Sequence, residues 1–224
     1  MEHLFTSFEE YPVAFIAEII TLLPLLTGLL FLKYTKNENK LLVAFFFLVF
    51  LRDISSNILA YSRTNNLFIY NLFSFIELIF LALLFYTNRR IASTTYRKAI
   101  IWGGLLAFLL NCLFYSTTDF SIGNFSTVRV YGLFLILIFF ERVLAEMNVK
   151  NIVLYSMFWV SSGLLLYFCG TFFIFLLSDK VLSKDARPDI FRQYWYTNLI
   201  FYILFCVLAS IGIWLSRYDE ENRI

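Results

Sequence analysis

Residues 41–86 read LLVAFFFLVFLRDISSNILAYSRTNNLFIYNLFSFIELIFLALLFY. Two apolar runs flank a short polar turn around Thr64–Asn66. A hydrocarbon core of ~30 Å takes roughly 20 residues of helix, so each run is long enough to cross a bilayer. A turn this short makes neighbouring helices pack antiparallel. The stretch therefore reads as a transmembrane helical hairpin, and it sets the fold class: an all-α membrane protein.

Five further segments flank the hairpin. Together the expected spans are Val13–Leu32, Leu41–Tyr61, Leu67–Tyr86, Ala99–Tyr115, Thr127–Leu144, Ile152–Leu177 and Trp195–Leu215. The fourth is short and is expected to start earlier, and the sixth is long enough to tilt. Pro12 opens the first helix, where a missing N–H costs nothing, and Pro24 inside it predicts a kink. Only the link Ser178–Tyr194 is long, and it is charged. No soluble domain fits between the spans, so residues 1–224 read as one seven-helix transmembrane bundle.

Composition agrees. The chain is 60% hydrophobic and 15% charged, with mean hydropathy +0.75, whereas soluble domains run nearer half apolar and a quarter charged. Twenty-eight Phe and fourteen Tyr suit bilayer core and interface. A net charge of +2 is too small to suggest nucleic-acid binding, and no nucleic-acid partner is expected. The one histidine, His3, excludes multi-histidine metal sites. Cys112, Cys169 and Cys206 fall in apolar runs with no CxxC pair, and read as packing residues. Glu2, Glu9 and Glu10 deny the N-terminus the basic region of a cleavable signal peptide, so the first span is expected to stay. Span seven holds no lysine of the kind that carries retinal.

Orientation follows from Lys and Arg near span ends. With the N-terminus extracytoplasmic, the inner segments hold Lys33, Lys36, Lys40, Arg89, Arg90, Arg97, Lys98, Arg142, Lys150, Arg217 and Arg223. The outer loops hold Arg63, Lys180, Lys184, Arg187 and Arg192. Eleven against five predicts N-terminus outside and C-terminus cytoplasmic.

Charged groups inside a bilayer are costly and usually face the bundle interior in pairs. Span two carries Arg52 and Asp53, with Ser56 and Asn57 one turn on; span three carries Asn71, Ser74 and Glu77 at steps of three. Counted from the turn at ~1.5 Å per residue, Asn57 and Asn71 fall at one depth, and Arg52 and Glu77 at another about 14 Å in. The expected contact is an Arg52–Glu77 ion pair with Asp53 beside it, near Ser74. Glu18, Asn111 and Asn198 add polar groups in other spans; Asn111 and Asn198 also read as packing or capping groups, and Arg129 as a residue reaching the outer interface. Most of this polarity lies in the outer half, which suggests a polar cavity open to that side. Ser156, Gly163 and Gly170 recur every seven residues and read as a close-packing seam. Asn124-Phe125-Ser126 matches the glycosylation triplet, a match expected by chance.

The stretch RDISSN at 52–57, with NLFIYNLFSFIELIFLALLFY at 66–86, resembles a group of small bacterial seven-helix integral membrane proteins with no assigned activity. The likeness covers spans two and three in sequence and the rest as topology. It implies a multi-pass protein of the bacterial inner membrane and a lean toward signalling, and it supplies no functional residues.

No catalytic motif is visible, so no enzyme, cofactor or metal is expected. The favoured reading is a sensory or ligand-binding membrane module. Its partners would be the lipid bilayer, a small molecule from the outer side, and a cytoplasmic or membrane signalling protein. Three alternatives stand beside it: a structural subunit of a membrane complex, a small transporter, and a membrane-embedded enzyme using Asp53 and Glu77.

Overall fold

The computed structural model describes residues 12–33, 37–88, 93–146, 151–176 and 188–219. Within them the chain forms seven long helices and no strand. They are α1 Pro12–Leu30, α2 Asn37–Tyr61, α3 Leu67–Thr87, α4 Thr94–Phe114, α5 Ile122–Glu146, α6 Ser156–Leu176 and α7 Pro188–Leu215. Every expected span is helical, with shifted ends. Helix α1 runs unbroken through Pro24. Helix α4 starts early, as its short apolar run required. Helix α6 starts late, after a 3₁₀ turn at Ile152–Leu154. Helix α7 begins at Pro188, a residue preorganised for a first helical turn, so the last seven residues of the expected link are helix. Asp179, Lys180, Lys184, Asp185 and Arg187 lie outside the described residues.

Five helices, α2, α3, α4, α6 and α7, are long and apolar enough to cross a membrane. Helix α1 offers a shorter apolar stretch, Phe15–Leu30, and α5 is interrupted by Arg129, Glu141 and Arg142. Large apolar side chains cover the outside: Leu30 and Leu113 are each 78% exposed and Phe173 65%. Water would not tolerate so much apolar surface, whereas lipid does. The chain is therefore a helical membrane protein.

Contacts between helices give the arrangement. Helix α1 packs on α2 and α7, α2 on α3, α3 on α5, α5 on α6, and α6 on α7. These six helices form a closed ring. Helix α4 stands outside it, in the groove between α3 and α5. It buries 17% of its apolar window, against 33–44% for α2, α3, α6 and α7.

Helix directions follow from paired residues. Ser56 meets Tyr70 and Phe45 stacks on Phe80, so α2 and α3 are antiparallel. Thr21 meets Tyr202 and Phe31 meets Arg217, so α1 and α7 are parallel. The N-terminus of α1, the α2–α3 turn, the α4–α5 loop and the start of α7 thus share one end of the bundle, called here the turn end. Asn65 donates to the Thr118 carbonyl at 2.9 Å, joining the two loops there.

Inside the ring, the half away from the turn end is filled. Leu42, Phe46, Leu84, Phe85, Leu135 and Phe139 are fully buried. The seam expected on α6 is present where α7 comes close. A Cβ on Gly163 would sit 3.1 Å from Leu208 Cβ, and one on Gly170 would sit 2.5 Å from the Phe201 ring. Ser156, the third member, opens α6, and its carbonyl lies 2.9 Å from where a Cβ on Gly212 of α7 would sit. The Ser156 N–H donates to Asp219 Oδ1 at 2.9 Å, and its Oγ accepts from Asn39 Nδ2 at 2.7 Å. Asp219 thus supplies from a distant stretch the acceptor that a helix start lacks, with a charge that suits the helix dipole. Asp219→Ala is expected to lower stability by about 0.5–2 kcal/mol, read as an earlier thermal unfolding in detergent. Asp219→Asn should recover most of the loss, and an unchanged melt for the Ala variant would show that the cap contributes nothing.

Candidate functional site

The ring encloses a cavity of about 160 Å³ toward the turn end. All six helices of the ring and the α4–α5 loop contribute to its wall. Helix α1 gives Ala17, Glu18 and Thr21, and α2 gives Arg52, Asp53 and Asn57. Tyr70 comes from α3, Phe120 from the loop, Phe125 and Arg129 from α5, and Tyr167 from α6. Trp195, Asn198, Leu199 and Tyr202 come from α7. Beneath it lies a second, water-sized space of about 20 Å³ that shares Arg52, Tyr167 and Tyr202 and reaches Glu77. The floor of that space is apolar: Phe45, Phe80, Leu81, Leu164 and Phe205.

Arg52 stands where the two spaces meet. Its Nε and Nη2 both donate to Asp53 Oδ1, at 2.9 and 2.7 Å. Its guanidinium lies over the rings of Phe73 at 4.7 Å and Tyr70 at 5.3 Å. Aromatic faces attract a guanidinium through their negative quadrupole, so the charge is held on one edge and one face.

The expected Arg52–Glu77 ion pair is not formed. Glu77 instead lies against Arg129, with Nη1 to Oε2 at 3.5 Å. Arg129 does not reach the interface as expected. Its side chain is 1% exposed, the largest fully buried one among the described residues. Nη2 donates to Tyr167 Oη at 2.9 Å and Nε to Thr171 Oγ1 at 3.5 Å. Phe125, Tyr167 and Phe168 surround it within 5.1–5.6 Å. The cause is the phase of α5, which turns position 129 into the ring. The cost of burying this charge is offset by a carboxylate, two hydroxyls and three rings.

The steps of three on α3 separate what they were expected to join. At about 100° per residue, three residues fall 60° short of a full turn, so Asn71 and Glu77 differ by about 120° in direction. Glu77 turns into the ring. Asn71 and Ser74 turn toward α4 and α5, away from Asn57 and Asp53. Asn71 Nδ2 donates to the carbonyls of Ser116 and Asp119, both at 2.7 Å, and its Oδ1 accepts from Ser121 N–H at 3.1 Å. Asn111 Nδ2 donates to Ser74 Oγ at 2.7 Å. Asn124, with its amide nitrogen toward acceptors, reaches the Asn111 carbonyl at 3.0 Å. These asparagines tie α3, α4 and the α4–α5 loop together outside the cavity. Asn124 is fully buried there, so the glycosylation triplet is inaccessible.

Of the remaining expected residues, Glu18, Arg52, Asp53, Asn57 and Asn198 line the larger cavity. Asn57 Nδ2 donates to Glu18 Oε1 at 3.3 Å near the mouth. Thr21 Oγ1 and Tyr202 Oη share a hydrogen bond of 3.0 Å one turn deeper. Residue-by-residue reading missed Tyr70, Tyr167 and Tyr202, because a tyrosine in an apolar run looks like packing. A signal was present on α3: Tyr70, Phe73, Glu77 and Phe80 recur at the spacing of one helix face. Among the described residues no group of three His, Cys, Asp or Glu gathers to hold a metal. No family model, curated protein or solved structure matches this chain.

Proposed function

We propose that the chain is a seven-span membrane protein, N-terminus outside and C-terminus in the cytoplasm, that binds a small molecule from the outer side and acts as a sensory module. The observation that carries this reading is the one-sided cavity. It holds two guanidiniums and a set of aromatic rings at the turn end, while the ring is packed with fully buried apolar side chains at the other. A pore would need polar groups along its whole length; a binding site needs them on one side only. The excess of Lys and Arg in the segments at the packed end favours a cytoplasmic position for that end. Helices α5, α6 and α7 all contribute to the cavity wall, so occupancy bears on helices whose far ends face a cytoplasmic partner. The bacterial inner membrane is the setting that the resemblance of spans two and three favours.

The test is accessibility in whole cells. In a background with Cys112, Cys169 and Cys206 replaced, the Leu199→Cys variant is treated with a membrane-impermeant thiol reagent. Labelling from outside, with a C-terminal reporter active in the cytoplasm, is the expected result. Labelling only after the membrane is breached, or a reporter read outside, would sink the proposal.

A further inference from the structure

From the groups left without partners in this cavity, we infer that its ligand is a small zwitterion carrying an ammonium and a carboxylate, as an amino acid or short ω-amino acid does. The inference rests on the proposed outward-facing binding cavity.

The lining charges are balanced: Arg52 and Arg129 face Glu18 and Asp53. Two of these are already engaged. Asp53 takes two bonds from Arg52, and Arg129 is held by Glu77 and Tyr167. What remains open is one cationic donor, Arg52 Nη1, and the acceptors Glu18 and, on the same pair, Asp53 Oδ2. Arg52 Nη1 makes no hydrogen bond among the described residues, since only Nε and Nη2 reach Asp53. Glu18 is exposed and meets only the long amide contact from Asn57. A further open acceptor agrees with Glu18: Asn198 Oδ1 is buried at the wall with no donor among the described residues. The cavity thus offers a donor with positive charge in its depth and two acceptors near its mouth.

The spacing suits one molecule. Glu18 lies one turn toward the mouth from Thr21, and Asn198 one turn toward the mouth from Tyr202; Thr21 and Tyr202 share a hydrogen bond on parallel helices. Glu18 and Asn198 are therefore at one level. Arg52 is five residues deeper than Asn57 on α2, about 7.5 Å at 1.5 Å per residue. An α-amino acid spans about 3 Å from nitrogen to carboxylate. Adding a charge-assisted hydrogen bond of about 2.8 Å at each end gives ~8.6 Å, within about 1 Å of that rise. Size agrees as well, since a void near 150 Å³ takes a molecule like benzene. A lone anion would serve Arg52 Nη1 and leave Glu18 and the Asn198 amide oxygen without a donor; a lone cation would serve those two acceptors and leave Nη1 without an acceptor. A molecule with both groups serves all three, and a polar group closed off without a partner is what burial penalises. Tyr70, Trp195 and Tyr202 supply faces for the ammonium and its carbon skeleton.

The experiment is protection of the Leu199→Cys variant from the same reagent by the protein amino acids, β-alanine, γ-aminobutyrate and glycine betaine, with purified protein melts in parallel. The best zwitterion is then compared with two isosteres, one lacking the ammonium and one lacking the carboxylate. For valine these are isovalerate and isobutylamine, both smaller than the parent, so size cannot exclude them. At least one zwitterion is expected to slow labelling and raise the melting temperature, with both isosteres at least about tenfold weaker. Glu18→Gln should weaken that zwitterion to the level of its carboxylate-only isostere while labelling without ligand continues. An isostere that protects as well as its parent overturns the zwitterion. So does labelling that no member of the panel slows, which leaves the outward cavity standing. Absence of labelling in both Leu199→Cys and a second variant, Tyr70→Cys, removes the cavity reading itself.

Discussion

Replacing Glu77 by Gln is expected to cost the folded bundle about 3–5 kcal/mol, and adding Arg129→Met to restore most of that loss. Gln has nearly the shape of Glu, so little packing changes. What changes is charge. Arg129 is 1% exposed and a guanidinium does not shed its proton in a protein. Without the carboxylate 3.5 Å from Nη1, the cation remains inside the ring and loses its counter-charge there. The double variant removes both charges and puts a flexible apolar chain beside Phe125 and Phe168, which suits the site. Unfolding of the two single variants and the double in denaturing detergent gives the coupling directly. A Glu77→Gln protein as stable as the parent would show that the ion pair does not hold α3 to α5.

Asn71→Leu is the other large loss, about 3 kcal/mol. The residue is fully buried and its amide serves the carbonyls of Ser116 and Asp119 and the N–H of Ser121. Leucine fills similar space and satisfies none of them, at about 1 kcal/mol for each. The damage should be local as well as global. The loop held by Asn71 carries Phe120, which stacks on Phe125 at 4.4 Å, and both line the cavity. Protease added from the turn end should therefore cut between residues 115 and 121 in the variant sooner than in the parent. Equal cutting rates would mean that the loop is held by other contacts, such as that between Asn65 and Thr118.

Hydropathy revealed the helices because lipid makes a simple demand: about twenty apolar residues in a row. That demand says nothing about which way a residue points. Arg52, Glu18 and Asn198 were found because a charge or amide in such a run is conspicuous, and the ring brings them to one cavity. The partner of Glu77 was not legible. Depth along the hairpin matched it to Arg52, but direction around α3 matched it to Arg129, and that direction depends on α3 packing against α5. The exclusion of α4 from the ring arises from the direct contact of α3 with α5, a long-range fact that no local pattern carries. Asn71 and Ser74 were conspicuous for the same reason as Glu77 and serve a different purpose, because about 120° and about 60° of helix separate them from it.

The closure of the ring by α1 against α7 bears on how the protein is made. At ~5–20 residues per second, about 185 residues of synthesis separate the end of α1 from the end of α7, roughly 10–40 s. Throughout that interval the inward face of α1, with Glu18 and Thr21, and the Arg52–Asp53 pair of α2 have no seventh helix to cover them. A nascent chain in this state needs either a protected lateral gate of the insertion machinery or water drawn in beside it. The last helix delivered thus completes the cavity and also releases the first two from their most exposed condition.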